Sequence, residues 1–382
     1  MKRFLAFLIL LCPALTAWAD DLEPSVQLHA WGAELDLAWR PVVLVPHAQT
    51  TFWLGGGALY KSWNYFRDVS GNALTSADVN QAAVNELAGS WFLGAAQGMV
   101  GQMTPFANGH KPWQTPNLVE VYSYYRGTVL HTLSSGSYFS NSNQSDREGY
   151  VQTAFLAGID LNTLTKTDEH NLLTGFVLEG AAETAPAGFQ SVPVDYNRLT
   201  ATLTLFLPVY DANPDSRLNT VSVLFGINVV LDHLSGFHIP SEAQTLVGGR
   251  AWAGVLGFAD ALGSAVRGVE ADRFDGNDKT IGNLDLRINL PGLDYPEFVR
   301  SLSPFPLEGS IIPGIVLFYD YGAWSGLSDN VPPNWVTTAG AGLFLSVGHY
   351  GSVQIFASKW LTGGTPYDTG ALPITASLGM QF

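Results

Sequence analysis

The last seven residues of the chain alternate with a period of two: Ala376, Leu378, Met380 and Phe382 fall on one side, Ser377, Gly379 and Gln381 on the other. A β-strand sends successive side chains to opposite faces, so this tail reads as a strand with one apolar face and one small or polar face. In a soluble sandwich that face would meet a core, and the chain would seldom stop on its last aromatic. In a barrel that crosses a bilayer the face meets lipid, and the terminal aromatic takes its place in an interfacial girdle.

The four segments before the tail repeat the pattern. Leu284, Leu286, Ile288 and Leu290 oppose Asn283, Asp285, Arg287 and Asn289; Ile315, Leu317, Tyr319 and Tyr321 oppose Phe318, Asp320 and Gly322. Ala339, Ala341, Leu343, Leu345 and Val347 oppose Thr338, Gly340, Gly342 and Ser346; Val353, Ile355 and Ala357 oppose Ser352, Gln354 and Ser358. A polar face this regular marks a lumen rather than a packed core. Upstream, candidate strands run over 30–40, 48–61, 89–103, 117–133, 149–162, 171–183, 197–207 and 217–231. Residues 75–87, rich in Ala, Asn, Gln and Glu, have helical composition and are expected in a long first loop or plug-like insertion. That makes eight strands before residue 280 and five after it. An outer-membrane barrel has an even number because both ends lie in the periplasm. At least one strand is therefore unaccounted for, with 63–88 and 237–265 (including Ala251–Phe258) as its expected places. The expected fold is all-β: a transmembrane antiparallel β-barrel of about sixteen strands, or about fourteen, with an inward-folded extracellular loop.

Composition agrees. Lys2 and Arg3, the apolar run Phe4 to Leu11 and the small-x-small site Ala17-Trp18-Ala19 make residues 1–19 a secretory signal, with 20–382 as the barrel domain. Cys12, the one cysteine, falls inside that signal, so the mature chain has neither a disulfide framework nor a thiol catalyst. No later apolar run reaches the roughly 18 residues of a spanning helix. Charged residues are 13% of the chain, about half the share of a soluble domain. The 11 Trp, 14 Tyr and 21 Phe suit interfacial girdles. Loss of Lys2 and Arg3 takes Lys+Arg from 18 to 16 against 33 Asp+Glu, a net charge of −17 that makes nucleic acid an improbable partner.

Between the two groups of strands lies Val266-Arg267-Gly268-Val269. It is followed in order by the strand carrying Asp285, the segment from Phe318 to Gly322, the strand Ala339–Val347, the strand Val353–Leu361 and the Phe-terminated tail. Over residues 266–382 this order resembles the bacterial surface antigen family, the barrel of the BamA/TamA and two-partner-secretion superfamily. The resemblance implies that a Val-Arg-Gly-aromatic loop tip folds back into the lumen and that its arginine meets acids on two later strands. Carried over, the arginine is Arg267, the acids are Asp285 and Asp320, and Asp320 opens an Asp-x-Gly that ends at Gly322. It also implies that the last strand, with Leu378, Met380 and Phe382, is a signal presented to the barrel assembly machinery.

The residues support this independently. Asp285 and Asp320 fall inward by alternation, and two carboxylates in a narrowing lumen repel unless a cation sits between them. A planar guanidinium can bond both at once. Gly268 removes a side chain where the tip presses on the wall. The chain departs from the family pattern at three places. Val269 stands where an aromatic is usual, which leaves the tip without its hydrophobic anchor. The connection 291–310 is long, and Tyr295–Ser301 reads as a short helix. Only residues 20–29 precede the first candidate strand, too few for a POTRA domain. The resemblance is therefore to barrel-only members, in which client capture by a periplasmic arm of the chain's own is excluded.

Other signals are weaker. Asp272, Asp275, Gly276, Asn277 and Asp278 lack EF-hand spacing, with Asn283 where the bidentate Glu would stand, so they read as a solvated loop. Asp232, His233 and His238 are a candidate start of a metal site, but two histidines in a loop read as plain surface residues. His131 near Ser134–Ser137 is no catalytic constellation without a Gly-x-Ser-x-Gly elbow, and Gly55–Gly57 lack the Lys-Ser/Thr of a phosphate loop. No catalytic residue, metal or cofactor is expected. The expected role is that of an integral outer-membrane barrel related to assembly and translocation barrels. Its partners would be outer-membrane lipid, lipopolysaccharide, and the barrel assembly machinery or a separate periplasmic protein. The alternative is a passive pore or surface-exposed structural barrel, with an outer-membrane enzyme third.

Overall fold

Strand alternation of this kind builds a single antiparallel sheet in which each long strand bonds its neighbours in the chain. The computed structural model describes residues 22–29, 32–40, 44–46, 48–68, 70, 72–75, 82–101, 117–135, 149–167, 172–212, 220–243, 245–248, 266–270, 272–294, 310–327, 332–347, 351–361 and 374–379. The path runs through β1 (Leu22–His29), β2 (Gly32–Trp39), β3 (Thr50–Tyr65), β4 (Ala82–Gly101), β5 (Asn117–Ser135), β6 (Val151–Asn162) and β7 (Leu172–Ala185). It continues through β8 (Asp195–Asp211), β9 (Ser222–Phe237), β10 (Asp278–Asn289), β11 (Ser310–Ser325), β12 (Trp335–Val347), β13 (Gly351–Trp360) and β14 (Ile374–Gly379). Two short segments extend it, Thr165–Thr167 beside β7 and Leu293–Asp294 beside β11. Among the described residues the path holds fourteen strands, and no pairing joins β1 to β14.

Among the described residues, the wall strand absent from the sequence reading precedes residue 30, whereas 249–265, within one of the two expected places, lie outside the described residues. That strand is β1, paired with β2 from Leu22 opposite Trp39 to His29 opposite Gly32. Leu22, Pro24, Val26 and Leu28 alternate there with Glu23, Ser25, Gln27 and His29. Pro24 disguises it, because proline inside a run argues against a central strand while remaining admissible where no ladder needs its N–H. The expectation that 75–87 lie in a long loop or plug-like insertion is corrected over residues 82–87. Ala82–Leu87 open β4, with Leu87 opposite Tyr60 on one side and His131 on the other. Two strand partners override a helical composition. The signal segment 1–19, Ala251–Phe258, Tyr295–Ser301, Met380 and Phe382 lie outside the described residues.

Burial is inverted relative to a soluble protein. Leu199 and Leu343 are 58% and 66% exposed on the outer face, while Glu120, Asp160, Arg198, Asp232 and Asp320 are buried inside. Apolar residues out and ionic residues in is the pattern of a barrel wall set in hydrocarbon.

The sheet curves around this polar interior. Tyr122 of β5 reaches over Gly158 of β6 to donate to Glu179 of β7, and a Cβ at Gly158 would lie 2.4 Å from the tyrosine. Arg126 of β5 bonds Glu183 of β7 at 2.6 Å, and the Tyr196 hydroxyl of β8 donates to the same carboxylate at 2.9 Å. Alternate strands lie about 9–10 Å apart, so such bridges form readily on a concave face. Farther round, Arg67, just past β3, meets Asp275 at a separation of 208 residues. β3 and the loop that precedes β10 therefore face each other at one rim.

β6 outruns β7, which pairs only with its residues 155–162. Its first residues are bonded by the turn after β7. Ser191 Oγ accepts from Val151 N–H at 2.8 Å, and the Gln190 side chain accepts from Thr153 N–H at 2.9 Å and donates to Thr153 O at 2.7 Å. One amide side chain thus stands in for a strand backbone.

Candidate functional site: an arginine held between lumen carboxylates

The chain leaves β9 at Phe237 and returns at Asp278 after a long loop. At the loop's root Thr245–Val247 pairs with Phe274–Gly276 as a two-stranded ribbon. Val266 and Val269 are fully buried, with Val230, Val247, Phe274, Ile281, Trp324 and Val336. Phe274 stacks on Trp324 at 3.9 Å, and Trp360 meets Phe274 edge-on. The tip therefore keeps a hydrophobic anchor with valine at 269, a correction to the sequence expectation: aromatics from the ribbon, β11 and β13 fill that space.

Val269 N–H donates to Val266 O at 3.2 Å, closing a turn with Arg267 and Gly268 at its apex. Gly268 has φ +85°, the left-handed region that glycine occupies without a Cβ penalty, so turn geometry calls for it. The close approach of loop to wall falls at Gly322, where a Cβ would sit 2.8 Å from both Val247 and Val266.

Arg267 places three donors on Asp320. Its backbone N–H and Nε each bond Oδ2 at 2.8 Å, and Nη2 bonds Oδ1 at 2.6 Å. The same Nη2 bonds Asp285 Oδ1 at 2.5 Å. Asn283 donates to Asp320 Oδ1 at 2.8 Å, which brings the bonds on that carboxylate to four, about the capacity of its lone pairs. Arg287, two positions from Asp285 on the same face, donates to Asp285 Oδ2 at 3.1 Å. Two guanidinium groups therefore balance two carboxylates. The guanidinium carbon of Arg267 also lies 4.0 Å from the Phe318 ring centre and 5.5 Å from that of Phe356, and Thr338 Oγ1 donates to Arg267 O at 2.6 Å. Burial opposes the charge on Arg267, but hydrogen bonds and charge from Asp320, then Asp285, outweigh it and hold its pKa above the ordinary arginine value.

Register explains why these groups converge. Thr204, Asn228, Asn283, Asp320 and Thr338 stand opposite one another across β8 to β12. Their side chains form a belt: Thr204 donates to Asn228 and Asn228 to Asn283, each at 3.0 Å, and Asn283 donates to Asp320. The structure brings Arg267 together with Asp285 and Asp320, and sets Gly322 against Val266 of the same turn. It adds Asn283, Arg287, Phe318, Phe356 and Thr338, of which Asn283, Arg287, Phe318 and Thr338 share inward faces already visible by alternation. A carboxylate filled in this way fastens a loop; it keeps no position open for proton transfer.

Other residues singled out in the sequence fall elsewhere. Asp275 is buried in an ion pair with Arg67, which corrects the reading of a solvated loop there. Asp278 stands between His233 (2.6 Å) and Ser325 (3.1 Å), an order in which the histidine does not face the serine proton. Asp232, the acid of the candidate metal group, pairs with Arg198 inside the lumen at 3.0 Å. Leu378 lies in β14 opposite Val353.

No family model and no curated protein matches this sequence. Among solved structures, the chain is similar to CdiB from Escherichia coli, with 13% identity over 90% of this chain and 52% of that one and a TM-score of 0.48. It is similar to BamA from Haemophilus ducreyi lacking POTRA domains 1–3, with 10% identity over 94% of this chain and 64% of that one and a TM-score of 0.46. CdiB from Acinetobacter baumannii shares 10% identity over 87% of this chain and 47% of that one, with a TM-score of 0.45. The chain thus spans 47% to 64% of the lengths of these three.

Proposed function

We propose that the protein is an integral barrel of the bacterial outer membrane, of the surface antigen type, and that it serves assembly or translocation across that membrane rather than acting as an open pore. The supporting observation is the seating of Arg267 between Asp285 and Asp320, the arrangement that the family's loop tip implies. A wide passive pore needs a clear lumen, and here residues 266–269 are packed against its wall with 0% exposure at both valines. Outer-membrane lipid and lipopolysaccharide would surround the outer face, and a separate periplasmic protein would deliver clients to the barrel.

The test is depletion in the native host, followed by outer-membrane proteomics, lipid profiling and uptake of small solutes. Selective loss of outer-membrane proteins or lipid-linked components, with solute uptake unchanged, is the expected result. An unchanged membrane inventory together with reduced uptake would replace this reading with that of a pore.

A further inference from the structure

A second fastening of the loop lies apart from Arg267. Asp275, on the returning arm of the ribbon, accepts from Arg67 Nε at 2.9 Å and Nη2 at 3.0 Å, and from the Tyr65 hydroxyl at 2.5 Å. The Arg67 and Asp275 side chains are only 6% and 9% exposed. Two positions earlier, Arg273 lies 4.8 Å over the Phe66 ring and 5.1 Å over Phe274, and donates to Leu74 O at 2.8 Å. The other side of the contact is itself a folded turn. Arg67 bridges Ala73, Leu74 N–H donates to Phe66 O, and the Asp68 carboxylate accepts from the N–H groups of Ser70 and Asn72. This turn presents Arg67 inward, where a turn that only linked β3 to β4 would leave it in water.

We propose that residues 65–68 and 72–74 are a latch that holds the root of the loop across the mouth of the barrel, and that the Arg67–Asp275 contact governs opening separately from Arg267. Arg267 ties the loop to β10, β11 and β12. Asp275 ties it to the end of β3, on the facing wall. A loop tied at one wall can swing clear, whereas one tied at both spans the opening. Shielded bidentate pairing also makes the latch less sensitive to salt than a surface ion pair. The latch rests on the barrel architecture and does not depend on a role in assembly.

The test uses the full-length protein in planar bilayers, with heat-modifiability on gels confirming that each variant is folded. Arg67→Ala and Asp275→Asn are each expected to raise conductance over the unaltered protein, with no further rise when combined, because either change breaks the same contact. The exchange of Arg67→Asp with Asp275→Arg should return conductance part of the way. Arg267→Ala should add to the effect of either latch variant. Should the charge variants fail to fold, Tyr65→Phe removes one donor and keeps the ion pair, and shorter closed dwell times are expected. Folded variants with unaltered conductance and dwell times, or a rise that the charge exchange leaves untouched, would overturn the latch. A failed depletion phenotype would overturn only the assembly role.

Discussion

Arg267→Ala leaves Asp320, with no exposed surface, two neutral described donors, the backbone N–H of residue 267 and the Asn283 amide, and no cation from the loop. Breaking a buried pair of this kind from one side costs about 3–5 kcal/mol. Asp320→Ala should cost a comparable amount, since Asp285 is then the one carboxylate left to Arg267 among the described residues. The double variant should lose less than the sum of the two, read as the temperature at which the folded gel band converts to the unfolded one. Arg267→Lys should fall between, because an ammonium offers no fork to reach both acids. At Gly322 the prediction concerns space. Gly322→Val should cost about 1–3 kcal/mol as its side chain meets Val247 and Val266. Gly180→Ala, where a Cβ meets nothing within 4 Å, should leave the same transition unmoved.

At the scale of elements, Gln190→Ala removes the acceptor for Thr153 N–H and the donor to Thr153 O. Amide exchange should quicken at Thr153 while Leu161, paired with both β5 and β7, keeps its protection. Nothing in the sequence marks Gln190 for this work, because its amide imitates backbone that the pattern of side chains does not show. β10 to β13 were legible because each alternates over an unbroken run, and alternation alone set Asp285, Asp320 and Gly322 inward. β1 was hidden by Pro24, and the start of β4 by residues whose local preference is helical but whose neighbours are strands. The position of Arg267 was legible through its tripeptide and the order of strands behind it. Thr338 was placed inward by alternation but, like Phe356, met Arg267 through register, and Arg67 with Asp275 have no spacing signal at all across 208 residues.

For the molecule as a whole, the exposed leucines and the buried ions require a hydrocarbon exterior. The protein should fractionate with the outer membrane and run on gels as a compact band until boiled; recovery as a soluble periplasmic species would contradict both. Removing Phe382 should lower the amount that reaches the membrane more than it lowers the stability of what does arrive. The order of the contacts along the chain has its own consequence. Arg67 is synthesised before the loop, but Asp285, Asp320 and Thr338 all come after Arg267, on three successive strands. The tip has no seat until β10, β11 and β12 are side by side, so a seated arginine records that this part of the wall has been completed. A chain halted before β11 lacks both Asp320 and Thr338 and would carry its tip loose, and trypsin should cut after Arg267 in that product while sparing it in the finished one.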